Sequence, residues 1–154
     1  MRRLILFRHA KAEPRAAGED DFDRPLSPRG RDDAALIGQA LAAEGLVPDY
    51  ALISPARRTA ETWICARDPF PRIRAAIAQV AERCDTLIVI GHNPGIHELA
   101  VELLLDAGAS AAAIEPVAAR FPTGTAAVFA IDEVGRASLD GLFLAKALGG
   151  EGDG

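Results

Sequence analysis

The chain has 154 residues, 49% of them hydrophobic and 25% charged, with a net charge of −5. That is one ordinary domain, long enough to bury a core without staples. The acidic balance argues against general nucleic-acid binding, which relies on basic surface. Two cysteines, Cys65 and Cys84, are too few for a disulfide scaffold and fit a reducing compartment.

Leu4-Ile5-Leu6-Phe7 is a short apolar run that predicts a buried strand. Arg8 and His9 interrupt it, so it is too short for a signal-peptide core, and no stretch reaches the roughly 20 apolar residues of a membrane span. A cytoplasmic location is therefore expected. Residues Lys11 to Pro25 predict a polar loop carrying Glu13, Glu19, Asp20, Asp21 and Asp23, either solvated or a rim that filters substrates.

Ser27-Pro28, Ser54-Pro55 and Asn93-Pro94 each place a capping residue before a proline, which predicts three helix starts. The first helix carries Ala34, Ile37 and Leu41 and ends near Gly45. Leu52-Ile53 closes a second strand, and the helix opened by Ser54 runs to about Asp68-Pro69. Ile73, Ile77, Val80 and Ala81 have the spacing of a third helix. Leu87 to Ile90 is a buried strand. Gly91-His92-Asn93-Pro94-Gly95 then turns into a helix with Ile96, Leu99, Leu103 and Leu104, the two glycines permitting tight turns. Gly108 to Gly124 predicts a loop with one helical turn, because Pro116 and Pro122 interrupt it. Ala126–Ile131 and Ala137–Leu144 predict a strand pair, and the glycine-rich end from Gly149 a flexible tail. Residues 1–148 form one domain. The expected fold is α/β, a three-layer sandwich with a mostly parallel central sheet and helices on both faces.

In such sheets ligands bind beyond the carboxyl ends of the strands. Arg8-His9, Ser54 to Arg58, and Gly91-His92-Asn93 all fall there. Guanidinium forks match phosphate oxygens, helix N-termini add free N–H groups, and a neutral imidazole is a competent nucleophile. The combination predicts phosphoryl transfer through a phosphohistidine. Taken one at a time, His9, His92 and Arg58 would read as ordinary surface residues; their shared position at strand ends sets them apart. A metal site from His92, His97 and Glu98 is not expected, because a spacing of five does not put both histidines on one helical face. His97 reads as a helix-surface residue, and Lys11 as a solvated one.

Arg8-His9-Ala10-Lys11-Ala12 resembles the signature of the histidine phosphatase superfamily, also called phosphoglycerate mutase-like, in its SixA-like phosphohistidine phosphatase branch. Ala10 stands where glycine is usual. Arg24-Pro25-Leu26-Ser27 with Arg29-Gly30, Ser54-Pro55-Ala56-Arg57-Arg58-Thr59-Ala60-Glu61-Thr62, Gly91-His92-Asn93-Pro94 and Phe121-Pro122-Thr123-Gly124 are similar to further segments of that branch, in the same order. The resemblance implies a phosphatase in which His9 is phosphorylated while Arg8, Arg58 and His92 hold the phosphoryl oxygens. Arg58 is selected over Arg57 because it lies four residues after the serine. Arg24 and Asn93 are implied in the substrate-binding wall. No metal and no cofactor are expected. The expected partner is a phosphorylated protein carrying phosphohistidine, or a small phosphorylated metabolite, with no nucleic acid and no membrane; a monomer is favoured.

One departure concerns the stretch between Thr62 and Gly91. It leaves little room for the segment from which larger branches take an acidic proton donor; Asp68 is the nearest carboxylate. A substrate with a good leaving group, phosphohistidine among them, is therefore expected over alkyl phosphates. Two alternatives stay open: a broad small-molecule phosphomonoesterase, and a catalytically weak phosphate-binding regulatory module.

Overall fold

The computed structural model describes residues 1–66 and 84–150. The expected Ile73 helix, the end of the Ser54 helix and Asp68 lie outside the described residues, as do the last four residues of the tail. The elements are β1 (Arg3–Arg8), α1 (Pro28–Ala43), β2 (Tyr50–Ile53), α2 (Arg57–Ala66), β3 (Thr86–Gly91), α3 (Gly95–Asp106), α4 (Ala111–Ala118), β4 (Thr125–Ile131) and β5 (Ala137–Leu144). Short 3-10 turns occupy Asp21–Asp23 and Ala145–Leu148.

The strands form one sheet in the order β2-β3-β1-β4-β5. β2, β3 and β1 pair in parallel, while β4 is antiparallel to both β1 and β5. β1, β2, β3 and β5 thus run one way and β4 the other, a mixed open sheet. The antiparallel pair follows from the short turn after Ile131, where Asp132 accepts from the Val134 and Arg136 N–H groups and Gly135 has φ +85°.

Alternation along β1 builds the sandwich. Ile5 and Phe7 join one core with Ile37 and Leu41 of α1, Trp63 of α2, and Ile88 and Ile90 of β3. Leu4 and Leu6 join the other with Ile96 and Leu104 of α3, Val117 of α4, and Phe121. A strand buried on both faces reads as a continuous apolar run, which is why Leu4 to Phe7 stands out in the sequence. Each such side chain contributes about 1.5–3 kcal/mol by leaving water. Among the described residues no helix is long and apolar enough to cross a membrane. Cys65 and Cys84 form no disulfide.

Several local expectations need correction. Ser27 caps α1, its Oγ accepting from Gly30 N–H at 3.0 Å. Ser54 and Asn93 do not cap. Helix α2 starts at Arg57, and α3 starts after Pro94 with no side-chain cap. Gly91 belongs to β3, and neither it nor Gly95 has a positive φ. In α3 the buried stripe is Ile96, Ala100 and Leu104, whereas Leu99 is exposed. The stretch read as a loop holds α4, capped by Ser110, with Pro116 inside the helix. Pro116 removes the N–H that would bond the Ala112 carbonyl, one bond of a helix of only eight residues. Near the C-terminus, Gly149 takes φ +91° and Gly150 N–H bonds the Ala145 carbonyl at 2.8 Å.

Candidate active site

Sheet register places the two histidines. Arg8 of β1 is paired with Gly91 of β3, so His9 and His92 are each one residue past the last pair of adjacent parallel strands. Adjacent strands lie about 4.8 Å apart, and the two imidazole centroids are 5.2 Å apart, tilted by 57°. The His9 N–H bonds the Gly91 carbonyl at 3.0 Å, which extends the ladder into the site.

His9 is buried, and its Nδ1 lies 2.7 Å from the Ala10 carbonyl. A carbonyl only accepts, so Nδ1 carries the proton and Nε2 keeps its lone pair. Burial, together with His92, Arg58 and Arg8, lowers the His9 pKa from 6.5 to about 4, against the opposing pull of the Ala10 bond. The imidazole is therefore neutral at pH 7. His92 Nε2 is 2.8 Å from Ser54 Oγ, at the end of β2. Its pKa is also lowered, first by desolvation and then by Arg58, with Asp21 opposing.

Arg8 projects from the end of β1 and donates through Nη1 to the Phe121 carbonyl at 2.8 Å. Asn93 Nδ2 donates to the same oxygen at 3.0 Å. The segment Phe121 to Gly124 thus orients two site residues, and Gly124 N–H bonds the His9 carbonyl at 3.2 Å. Phe121 is stacked on His97, whose Nε2 bonds the Val117 carbonyl at 2.9 Å. His97 is thus a half-buried tie between α3 and α4 rather than a free surface residue.

The two neighbouring arginines of α2 part ways. Arg57 is 52% exposed and pairs with Glu61 at 2.8 Å. Arg58 is 11% exposed and turns toward the histidines, donating through Nη1 to the Asp21 carbonyl at 2.7 Å. Arg24 stands beside it, donating to the Glu13 carbonyl at 3.3 Å. Thr62 locks the loop after His9 to α2: its Oγ1 accepts from Ala10 N–H at 3.1 Å and donates to the Arg58 carbonyl at 2.6 Å. Arg58 Nε, Arg24 Nε and His92 Nδ1 are buried and, among the described residues, have no hydrogen-bond partner.

The structure therefore brings together His9, His92, Arg8, Arg58, Arg24 and Asn93. Sequence reasoning missed the site contacts of Ser54, Thr62 and Asp21. In sequence, Ser54 carries the signal of a cap, and Asp21 lies within the acidic stretch that reads as either a solvated loop or a rim. Among the described residues, no group of three or more His, Cys, Asp or Glu is placed to hold a metal ion. Chemically, the cluster offers a neutral imidazole lone pair within a ring of cationic donors, an arrangement suited to a tetrahedral oxyanion.

A model of the histidine phosphatase superfamily (branch 1) matches residues 4–73. An uncharacterized protein of Mycobacterium tuberculosis H37Rv, Rv1276c, is 36% identical over 138 residues, covering 80% of this chain and 86% of its own. A candidate phosphohistidine phosphatase SixA from Nakamurella is 30% identical with a TM-score of 0.74, covering 92% of this chain and 95% of that one. Its counterpart from Agrobacterium tumefaciens is 25% identical with a TM-score of 0.76, covering 92% and 97%. The chain belongs to the histidine phosphatase superfamily and is a phosphatase. Within that superfamily it falls in the SixA-like branch.

Proposed function

We propose that this protein hydrolyses phosphohistidine, or a phosphoramidate like it, through a phosphorylated His9. His9 Nε2 attacks phosphorus as the P–N bond breaks, and the substrate imidazole, already protonated on its other ring nitrogen, leaves as the neutral base with the bond's electron pair. Water then attacks the phosphohistidine, freeing His9 and inorganic phosphate. Arg8, Arg58 and His92 stabilise the charge on the equatorial oxygens, with Arg24 and Asn93 at the pocket wall.

The observation that carries this reading is the fixed tautomer of His9: with Nδ1 committed to the Ala10 carbonyl, Nε2 is the nitrogen left to attack. A low pKa keeps that nitrogen unprotonated as the dianion binds. The leaving group argues for the substrate class. An imidazole leaves with far less help than an alkoxide, since its conjugate acid has a pKa of about 6.5. A reducing compartment, the cytoplasm, is the location this reading takes, supported by a cysteine content too low for a disulfide scaffold.

The test compares wild type and His9→Ala on a phosphohistidine-bearing protein and on an alkyl phosphate. Wild type should turn over the phosphohistidine faster, and His9→Ala should lose at least about a thousandfold. Equal or better turnover of the alkyl ester would reject the substrate class.

A further inference from the structure

The loop between β1 and α1 sets a carboxylate on the very arginine that a phosphoryl group would use. Asp20 opens the Asp21–Asp23 turn by accepting from the Phe22 N–H at 3.0 Å. From that turn the Asp21 carbonyl takes Arg58 Nη1 at 2.7 Å, and Asp21 Oδ2 lies 3.1 Å from Arg58 Nη2. Asp21 Oδ1 lies 3.0 Å from Arg24 Nη2. One residue thus engages both terminal nitrogens of Arg58 and bridges to Arg24. Its charge reaches the reacting centre, since it opposes the arginines in their effect on His92. Carboxylate and phosphoryl oxygens compete for the same guanidinium geometry.

We infer that Asp21 is a resident anion on Arg58 that an incoming phosphoryl group must displace. The inference rests on the proposed function, because it needs Arg58 to hold the phosphoryl group. Free orthophosphate has only its own charge to offer in exchange for Asp21. A phosphorylated carrier adds its own contacts and recovers the cost of displacement. Asp21 therefore raises the cost of holding any phosphoryl group, and free orthophosphate, with no further contacts, is held weakly. If Asp21 served only to hold Arg58 in place, its removal would weaken anion binding; as a competitor, its removal strengthens it.

The experiment is calorimetric titration of inorganic phosphate into wild type, Asp21→Asn and Asp23→Asn, with phosphate inhibition of turnover measured alongside. Asp21→Asn should bind phosphate about tenfold more tightly, as expected for removing a like charge a few ångströms away. Asp23→Asn removes the same formal charge from the same turn and should change affinity by less than about twofold. Unchanged or weaker binding in Asp21→Asn overturns the inference, and so does equal tightening in both variants. Absence of phosphate binding in wild type and Asp21→Asn alike also overturns it. Asp21→Ala reads the same quantity if Asp21→Asn is poorly folded by its melting temperature. Failure of the phosphatase reading would be seen separately, as no turnover by wild type while the response to Asp21→Asn persists.

Discussion

His9 joins nucleophile chemistry to stability through one pKa. Its imidazole titrates near 6.5 when the chain is unfolded and at about 4 when folded. Between those values the unfolded state binds more protons, so stability is fully present above about pH 6.5 and is lost as pH falls toward 4. The expected loss is about 3 kcal/mol. His9→Gln should show a correspondingly smaller fall in urea midpoint across that window; an identical fall would place the acid sensitivity elsewhere. Arg58 and Arg57 make a second residue-scale contrast. Arg58→Gln should lower kcat/KM by about 10²–10³, whereas the exposed Arg57, paired with Glu61, should tolerate the same change with a stability effect within about 1 kcal/mol. Steady-state kinetics on both variants check this, and equal losses would contradict it. In sequence the two arginines are distinguished only by the family resemblance, whose motif puts the phosphate-binding arginine four residues after the serine. The physical reason becomes visible in three dimensions, where a single step along α2, about 100° around its axis, separates a solvent-facing ion pair from a buried fork.

At the scale of elements, close backbone approach fixes where the loop of His9 sits. A Cβ on Gly30 would lie 2.0 Å from the Lys11 carbonyl oxygen, and one on Gly38 would lie 2.1 Å from the Ala66 carbonyl oxygen. Gly38 lets α1 pack on the end of α2, and Gly30 lets α1 meet the loop after His9. Gly38→Ala should destabilise the fold by about 1–3 kcal/mol in denaturant titration with activity per folded molecule kept. Gly30→Ala should cost a similar amount and also lower activity, because Lys11 is two residues from His9. An undisturbed kcat in Gly30→Ala would disconnect that packing from the site. β1, β3 and β4 were legible because their apolar runs are short and packed on both faces, whereas the edge strand β2 leaves Tyr50 and Leu52 exposed. The helix starts at Ser54 and Asn93 differ from the sequence expectation for two reasons: Ser54 Oγ is engaged with His92, and α3 begins after Pro94, with Asn93 Nδ2 donating to the Phe121 carbonyl and its Oδ1 accepting from no helix N–H. Helix α4 was hidden by Pro116, although Ser110 carried the correct start signal.

Across the whole molecule, a mixed sheet converts distant sequence segments into one pocket. The parallel β1–β3 pairing carries His9 and His92 to the same edge, β2 brings Ser54 beside them, and the turn before β4 supplies the Phe121 carbonyl. The sheet edge was foreseeable from the order of strands and polar residues. The contribution of Asp21 was not, because a carboxylate in an acidic loop carries no sequence signal for which arginine it meets. The covalent step is the claim on which the rest stands. The most direct measurement mixes the enzyme with a phosphoramidate donor, quenches in alkali where phosphohistidine survives, and maps the phosphoryl adduct by peptide mass spectrometry. The adduct is predicted on His9 in wild type and absent in His9→Ala. An adduct on His92 or Ser54, or full turnover by His9→Ala, would contradict the account.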